Sequence, residues 1–385
     1  MIYFYRQSEK KKSQHRSFSG VLPQINLDKH VEFIEIPAED ERAGLTATIQ
    51  RYHSLWFDPS EKPLWKLVIV NGRHALFVFD HFVTDGRGST YILESLLEAL
   101  NSPNEKDGDS PIVDITTEIK GYPERDPVKC SGKGPSVLFA IMSYVTFWCL
   151  QLFYRGTDIF FHDAVYQERE LVFSDPKKED NLTVTNLHTL RLDADTMHRC
   201  LKACREHQTS FTSFLHTLIK VTLAADFYPK AKFSHSETVI DSEIPVDADT
   251  IWKIARKHKA HISNDLQHKK SWMKAWQAID LIGEDEEDYV SQFAPGLKLV
   301  QKYAFNVSNL GAFENQAGSG PWNISNMEFS AGAIKAGYGV NLSFNVSGVR
   351  DGVTVVHVNS EEGSLPSDFV ASLVSRIEKR MLAVI

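Results

Sequence analysis

In the stretch FVFDHFVTDGRGSTYILESLLEAL, residues Phe77–Leu100, a histidine stands four positions before an aspartate, and a glycine follows at once. A free imidazole has a pKa of about 6.5, so its neutral form can take up a proton near pH 7. His81 is therefore a candidate general base, provided that one ring nitrogen opens into a cavity. Asp85 offers a carboxylate that can hold nearby backbone or pair with an arginine. Gly86 permits a conformation that a side chain would obstruct. A histidine at a strand end also has a plain structural reading, as a satisfied hydrogen-bonding group.

The elements that must position these residues are visible around them. The apolar runs Leu64–Val70 and Ala75–Phe79 flank Asn71-Gly72, the dipeptide suited to the positive backbone angles of a tight hairpin. From Tyr91 onward, Ile92, Leu93, Leu96, Leu97 and Leu100 recur on one helical face. His81 is thus expected at the mouth of a buried strand, with a turn and an amphipathic helix behind it. Residues 101–110 read as a polar loop, and a linker follows through Pro123, Pro127, Gly132, Gly134 and Pro135.

The second half begins after Asp180. Thr189–Leu192 reads as a short strand and Asp195–Glu206 as a helix. From Thr209 a hydroxyl cap precedes Phe214, Leu215, Leu218, Ile219 and Leu223 on one face, a helix signal. Asp249–Ile282 is expected to be mostly helical, and Phe305–Val307 to be a strand. Val340–Val349 and Val353–Val358 read as strands joined through Arg350-Asp351-Gly352, and Phe369–Leu382 as a closing amphipathic helix. Mixed strands and helices with hairpins fit a two-layer α/β sandwich better than a doubly wound parallel sheet. With 385 residues and 42% hydrophobic composition, the chain divides into two lobes, 1–180 and 181–385.

A net charge of −8 carries no basic excess that would ask for nucleic acid. The apolar start of MIYFYRQSEKKKSQHR is too short for a secretory core, which sets a cytoplasmic expectation. Cys130, Cys149, Cys200 and Cys204 lack metal-ligand spacing and read as free thiols. On that view the sequons at Asn181, Asn306, Asn323, Asn341 and Asn345 are chance matches. Residues 134–154 carry no charge between Lys133 and Arg155. A core helix, a helix resting on a membrane and a helix crossing one all remain open there. The polar Ser136, Ser143, Tyr144, Thr146 and Gln151 favour a segment that does not span, leaving peripheral contact through 134–154 open.

His81 to Gly86 form an HxxxDG motif, which resembles the active-site signature of the CoA-dependent acyltransferase superfamily. Pro63-Leu64-Trp65 resembles its PLW element, and Thr212-Ser213-Phe214-Leu215 the start of its second-lobe helix. Asn306-Val307-Ser308-Asn309-Leu310-Gly311 closely resembles the NVSNLG segment of its fungal alcohol O-acetyltransferase branch. The resemblance implies a two-lobe chloramphenicol-acetyltransferase-like fold with a central tunnel. In it His81 is a general base that deprotonates a small alcohol, Asp85 is structural and Gly86 allows the turn. Acetyl-CoA or another acyl-CoA is then a co-substrate, with no bound cofactor and no metal, and the protein acts as a monomer. Ser308 and Asn309 are the candidate oxyanion or tunnel donors, or else turn residues ending a strand. The arginine that usually pairs with the motif aspartate is not identifiable, because Ile244-Pro245-Val246 runs directly into Asp247-Ala248-Asp249. The alternative function is a catalytically inactive relative that binds a ligand or partner in the tunnel; peptide-bond-forming condensation lacks an attached carrier domain.

Other signals are weaker. The glycines of AGAIKAGYG, Ala331 to Gly339, do not follow the dinucleotide spacing, and no GxSxG elbow occurs. The run Glu284 to Asp288 reads as a solvated loop.

Overall fold

In the computed structural model the chain opens with a self-paired antiparallel hairpin, β1 (Phe4–Lys11) and β2 (Gln14–Val21). The structure describes residues 4–11, 14–22, 24–55, 57, 63–81, 83–102, 110–114, 184–227, 246–268, 303–314, 320–332, 340–362, 365–366 and 368–385. The expected linker, segment 134–154, the acidic run 284–288, Cys130 and Cys149 lie outside these residues, as do residues 333–339 of the glycine-rich stretch.

Next come β3 (Gln24–Asn26), β4 (Val31–Ile34) and helix α1 (Glu41–His53). Asn71 and Gly72 then take φ values of 51° and 63°, the left-handed values that a tight hairpin needs. They join β5 (Trp65–Val70) to β6 (His74–Phe79), as the sequence predicts. Helix α2 (Gly86–Asn101) and β7 (Ile112–Asp114) complete this half. Its three-stranded sheet has the order β4-β5-β6, with β4 parallel and β6 antiparallel to β5, while β3 pairs with β7. Val68 and Val70 pack against Tyr52 of α1. On α2, Leu93 and Leu97 find apolar partners, whereas Leu100 is left exposed. The apolar face read from the sequence is therefore wider than the face that is buried.

The second half contains β8 (Thr185–Leu192), α3 (Ala194–Glu206), α4 (Phe211–Thr222) and α5 (Ala248–His268). It continues with β9 (Tyr303–Phe313), β10 (Val340–Val349), β11 (Thr354–Glu361) and α6 (Phe369–Val384). Asp193 caps α3 through the Thr196 amide, and Ser210 caps α4 through the Ser213 amide. The strands form one sheet in the order β8-β11-β10-β9, in which only the β9–β10 pair is parallel. Leu190, Leu192, Leu342, Phe344, Val346, Val356 and Val358 point from one face of this sheet into the main core. They meet Phe214, Leu215, Leu218 and Ile219 of α4 and Leu373 and Ile377 of α6. Each such side chain contributes about 1.5–3 kcal/mol by leaving water, so this face fixes the helices on the sheet.

Two sequence boundaries need correction. Strand β8 begins before Thr189, and β9 runs past Val307 through the whole NVSNLG segment. Among the described residues no helix is long and apolar enough to cross a membrane.

Candidate active site

Strand β6 ends at Phe79, and the chain turns immediately. The Asp80 amide donates to Leu64 O at 2.9 Å, and the Val83 amide donates to Asp80 O at 2.9 Å. His81 lies in this turn. It is exposed, and among the described residues its ring makes no hydrogen bond or ion pair. The expectation of a histidine at the mouth of a buried strand is corrected here. Among the described residues β6 is the edge strand of its sheet and only half-buried, and the residue that follows it in the turn is exposed.

Asp85 is the N-cap of α2. Its backbone is extended, and Oδ1 accepts the Gly88 amide at 2.6 Å while its carbonyl accepts the Ser89 amide. A carboxylate at a helix N-terminus satisfies an otherwise unpaired donor and complements the helix dipole. Among the described residues no cation pairs with Asp85. Of the two roles open to it in the sequence, the structure gives it the backbone one.

Gly86 is required by proximity rather than by dihedral angle. A Cβ there would lie 2.7 Å from Leu310 Cδ2 and 3.4 Å from Phe329 Cζ. The first turn of α2 therefore rests directly on the NVSNLG segment of β9. Leu310 reaches this place because β9 carries one extra residue between Asn309 and Ala312, opposite the stretch Val346 to Gly348 of β10. A bulge of this kind re-aims the side chains around it. Gly311 supplies its φ of 82°, and Asn309 Oδ1 accepts the Gly311 amide at 2.8 Å. Asn309 Nδ2 in turn donates to Thr212 Oγ1 at 2.9 Å.

Both ends of the Asn309 amide are thus occupied on the helix-bearing side of the sheet. Ser308 differs. It is half-buried, lies opposite Asn345 on the other side, and among the described residues its hydroxyl makes no hydrogen bond. Neither residue ends the strand, because both lie inside β9. Three pieces separated by long stretches of sequence therefore meet. Gly86 of HxxxDG touches Leu310 of NVSNLG, and Asn309 of NVSNLG is tied to Thr212 of the α4 start.

The side of the sheet that carries Ser308 is unusual in being polar and yet buried. Ser308, Asn345, His357 and Thr189 form one transverse row across all four strands. Asn306, Ser343, Asn359 and Leu187 form the next. Asn345 is 1% exposed, and His357 and Asn359 are each 2% exposed. Unpaired polar groups at such depth would be costly, and these are paired. Glu328 Oε2 lies 2.8 Å from His357 Nε2, and Thr189 Oγ1 lies 3.0 Å from His357 Nδ1. Because a carboxylate only accepts, His357 carries its proton on Nε2 and leaves Nδ1 to Thr189. Burial would raise the Glu328 carboxyl, but hydrogen bonds from His357, Arg191 and Asn326 outweigh it and hold the group at about 2. His53, at the end of α1, reaches the same region with Nε2 2.7 Å from Ser330 Oγ. Burial, helped by nearby His357, lowers its pKa to about 4.

Sequence reasoning passes over His53, Ser330, Asn345, His357 and Asn359. A signal for the strand residues exists in the period-two alternation of NLSFNVSGV and VHVN, where every second residue is polar. The partners His53 and Ser330 are brought in only by tertiary packing. Asn345 matches a sequon but is too buried to accept a glycan. Among the described residues no cluster of His, Cys, Asp or Glu could hold a metal ion. Cys200 and Cys204 are buried, and burial pushes their thiols up to about 11 and about 12, away from reactive thiolate.

The profile of a family described as alcohol acetyltransferase matches residues 39–251. A probable alcohol acetyltransferase, FCK4, from Fusarium pseudograminearum strain CS3096 is 19% identical over 419 residues, which covers 94% of this chain and 79% of that protein. Among solved structures, the TRI3 trichothecene 15-O-acetyltransferase of Fusarium sporotrichioides is similar with a TM-score of 0.61 at 10% identity, over 99% of this chain and 83% of that one. The EpoB cyclization-docking bidomain of Sorangium cellulosum gives a TM-score of 0.53 at 10% identity, over 98% of this chain and 73% of that one. At such identities the two structures speak to the fold alone.

Proposed function

This chain belongs to the alcohol acetyltransferase family, and from that premise we propose that it moves an acetyl or other short acyl group from acyl-CoA to an alcohol hydroxyl. The observation that carries the reading is the contact of Gly86 with Leu310, which brings HxxxDG and NVSNLG together. In this reading each half supplies one part of the reaction, and the acyl-CoA and the alcohol meet between them.

His81 takes the proton of the acceptor hydroxyl as a bond forms from the alcohol oxygen to the thioester carbonyl carbon. Negative charge moves to the carbonyl oxygen, and the Ser308 hydroxyl is the donor proposed to stabilise it. When the tetrahedral species collapses, the carbon–sulfur bond breaks and the imidazolium returns its proton to the CoA sulfur. An ester and free CoA leave, and no acyl-enzyme forms. That neither the His81 ring nor the Ser308 hydroxyl makes a hydrogen bond among the described residues supports these roles. Asp85 acts by capping α2, which holds the turn that carries His81. Asn309 acts by fixing the bulge that aims Leu310.

The test is thiol release from acetyl-CoA over a panel of alcohols, wild type beside His81→Ala. A base used only in the transition state should cost at least about a hundredfold in turnover, or about 3 kcal/mol of barrier. CoA binding by calorimetry should change little. Equal rates in the two proteins would remove the assignment. A wild type that neither releases thiol nor binds CoA would favour the inactive relative.

A further inference from the structure

The polar row beside Ser308 does not stop at the sheet. Asn345 Nδ2 donates to Asn359 Oδ1 at 2.8 Å, and Asn359 Nδ2 donates to Ser330 Oγ at 3.0 Å. Ser330 Oγ lies 2.7 Å from His53 Nε2. We infer that this chain, Asn345–Asn359–Ser330–His53, is a positioning device that holds the strand face bearing Ser308 against the half of the molecule bearing His81. The inference rests on the acyl-transfer reading of the site.

The chain spans the parts that such a device must join. Asn345 is the register partner of Ser308, across the parallel β9–β10 pair. Asn359 is on β11, Ser330 is in the segment after β9, and His53 ends α1 in the first half. Helix α2 also rests on Leu310, and its Asn101 bonds the Trp322 backbone, so the polar chain is one of several ties between the two halves.

Its donors run in one direction. Both asparagines use their NH₂ towards the next member; Asn359 Oδ1 accepts from Asn345, and Asn345 Oδ1 accepts from the Ser343 hydroxyl. Ser330 accepts from Asn359, so its single proton is best spent on His53 Nε2. That nitrogen must then be bare, with the ring proton on Nδ1. A ring kept neutral by burial fits this arrangement. Chains of aligned hydrogen bonds reinforce one another, and a break strands buried polar groups on both sides. Valine or leucine at 345 and 359 would bury as well without any partner. What a fully satisfied polar chain adds is a single allowed alignment of the elements it links.

Two pairs of variants test this. His53→Gln keeps an acceptor near the place of Nε2, whereas His53→Phe keeps a ring but offers none. Ser330→Ala removes the middle of the chain with the smallest change of volume, and Asn359→Leu removes both of its amide contacts. The expected result is a turnover reduced at least tenfold in His53→Phe and Ser330→Ala, with KM for acetyl-CoA and alcohol changed less than threefold. His53→Gln should recover to within threefold of wild type. Wild-type turnover in both His53→Phe and Ser330→Ala would overturn the inference, while an inactive wild type would overturn the acyl-transfer reading. Nitrogen-15 spectra of the histidine rings judge the chain without activity. The wild type should show His53 protonated on Nδ1, and Ser330→Ala should lose that preference. A His53 protonated on Nε2, or one unaltered by Ser330→Ala, would also overturn it. Should Asn359→Leu fail to fold, the other variants carry the test.

Discussion

Replacing Gly86 by alanine probes the junction of the two motifs. The added Cβ would stand 2.7 Å from Leu310 Cδ2, about 1 Å inside ordinary carbon–carbon contact, with Phe329 Cζ closing the other side at 3.4 Å. Forcing one carbon into a packed place costs about 1–3 kcal/mol. Two effects oppose that. Alanine is better than glycine in a helix by up to about 1 kcal/mol, and the tip of Leu310 can give way in part. The net expectation is a loss of about 1–2 kcal/mol, together with reduced acetyl transfer because the first turn of α2 must lift. In a Leu310→Val background the δ-methyls are gone and the sign should reverse, so that Gly86→Ala becomes neutral or stabilising. Urea midpoints of the wild type, both single variants and the double variant give the coupling, expected at about 1–2 kcal/mol. Additivity to within about 0.5 kcal/mol would refute the reasoning, because residues not in contact behave in that way.

Asp85→Ala should lose about 1 kcal/mol, whereas Asp85→Asn should keep the cap and melt close to wild type, as thermal denaturation of both will show. Ser308→Ala should lower turnover about a hundredfold or more with an unchanged melting temperature. Asn309→Ala should lower the melting temperature first, because it frees both Gly311 and Thr212; assays of rate and melting on the pair separate the two roles. His53 should make stability fall in mild acid. Its folded pKa of about 4 lies below the unfolded value of 6.5, so its contribution is complete above pH 6.5 and is lost as pH falls towards 4. By pH 5 the loss should reach at most about 2 kcal/mol, read as the difference in urea midpoints between wild type and His53→Gln. Glu328 does not interfere there, because its contribution is lost only below pH 4.5.

How much of this was legible depends on the range of the interactions. The hairpin at Asn71-Gly72 and the helix at Phe211 are written in local chemistry, in left-handed turn residues and a hydroxyl cap, and both appear where the sequence puts them. The HxxxDG and NVSNLG segments are legible as patterns. Their contact is not, because it depends on a bulge that exists only once β9 has paired with β10. The bulge also explains why Ser308 and Asn309 look like turn residues: Asn-Leu-Gly is turn chemistry used inside a strand. That β6 lies at the edge of its sheet among the described residues, and is only half-buried, is a matter of sheet order, which the residues of β6 do not encode. The polar rows were present as alternation, but alternation ordinarily marks a face turned to water. Here the polar face is covered by Glu328, Ser330 and His53.

That sheet is buried on both sides but apolar on only one, and the two sides must respond differently to temperature. Exposing apolar surface raises heat capacity by about 0.45 cal/mol/K per Å², while exposing polar surface lowers it by about 0.26. Melting the helix-covered side therefore carries the curved temperature dependence of a hydrophobic core, weakening towards the cold. Parting the polar side from Ser330 and His53 uncovers amides, hydroxyls and imidazoles, with a heat-capacity change that is small or of opposite sign. Cooling thus loosens the grip of the helices on the sheet and the apolar packing of α2 on β9, while the polar chain from Asn345 to His53 keeps its alignment over a wider range of temperature than either.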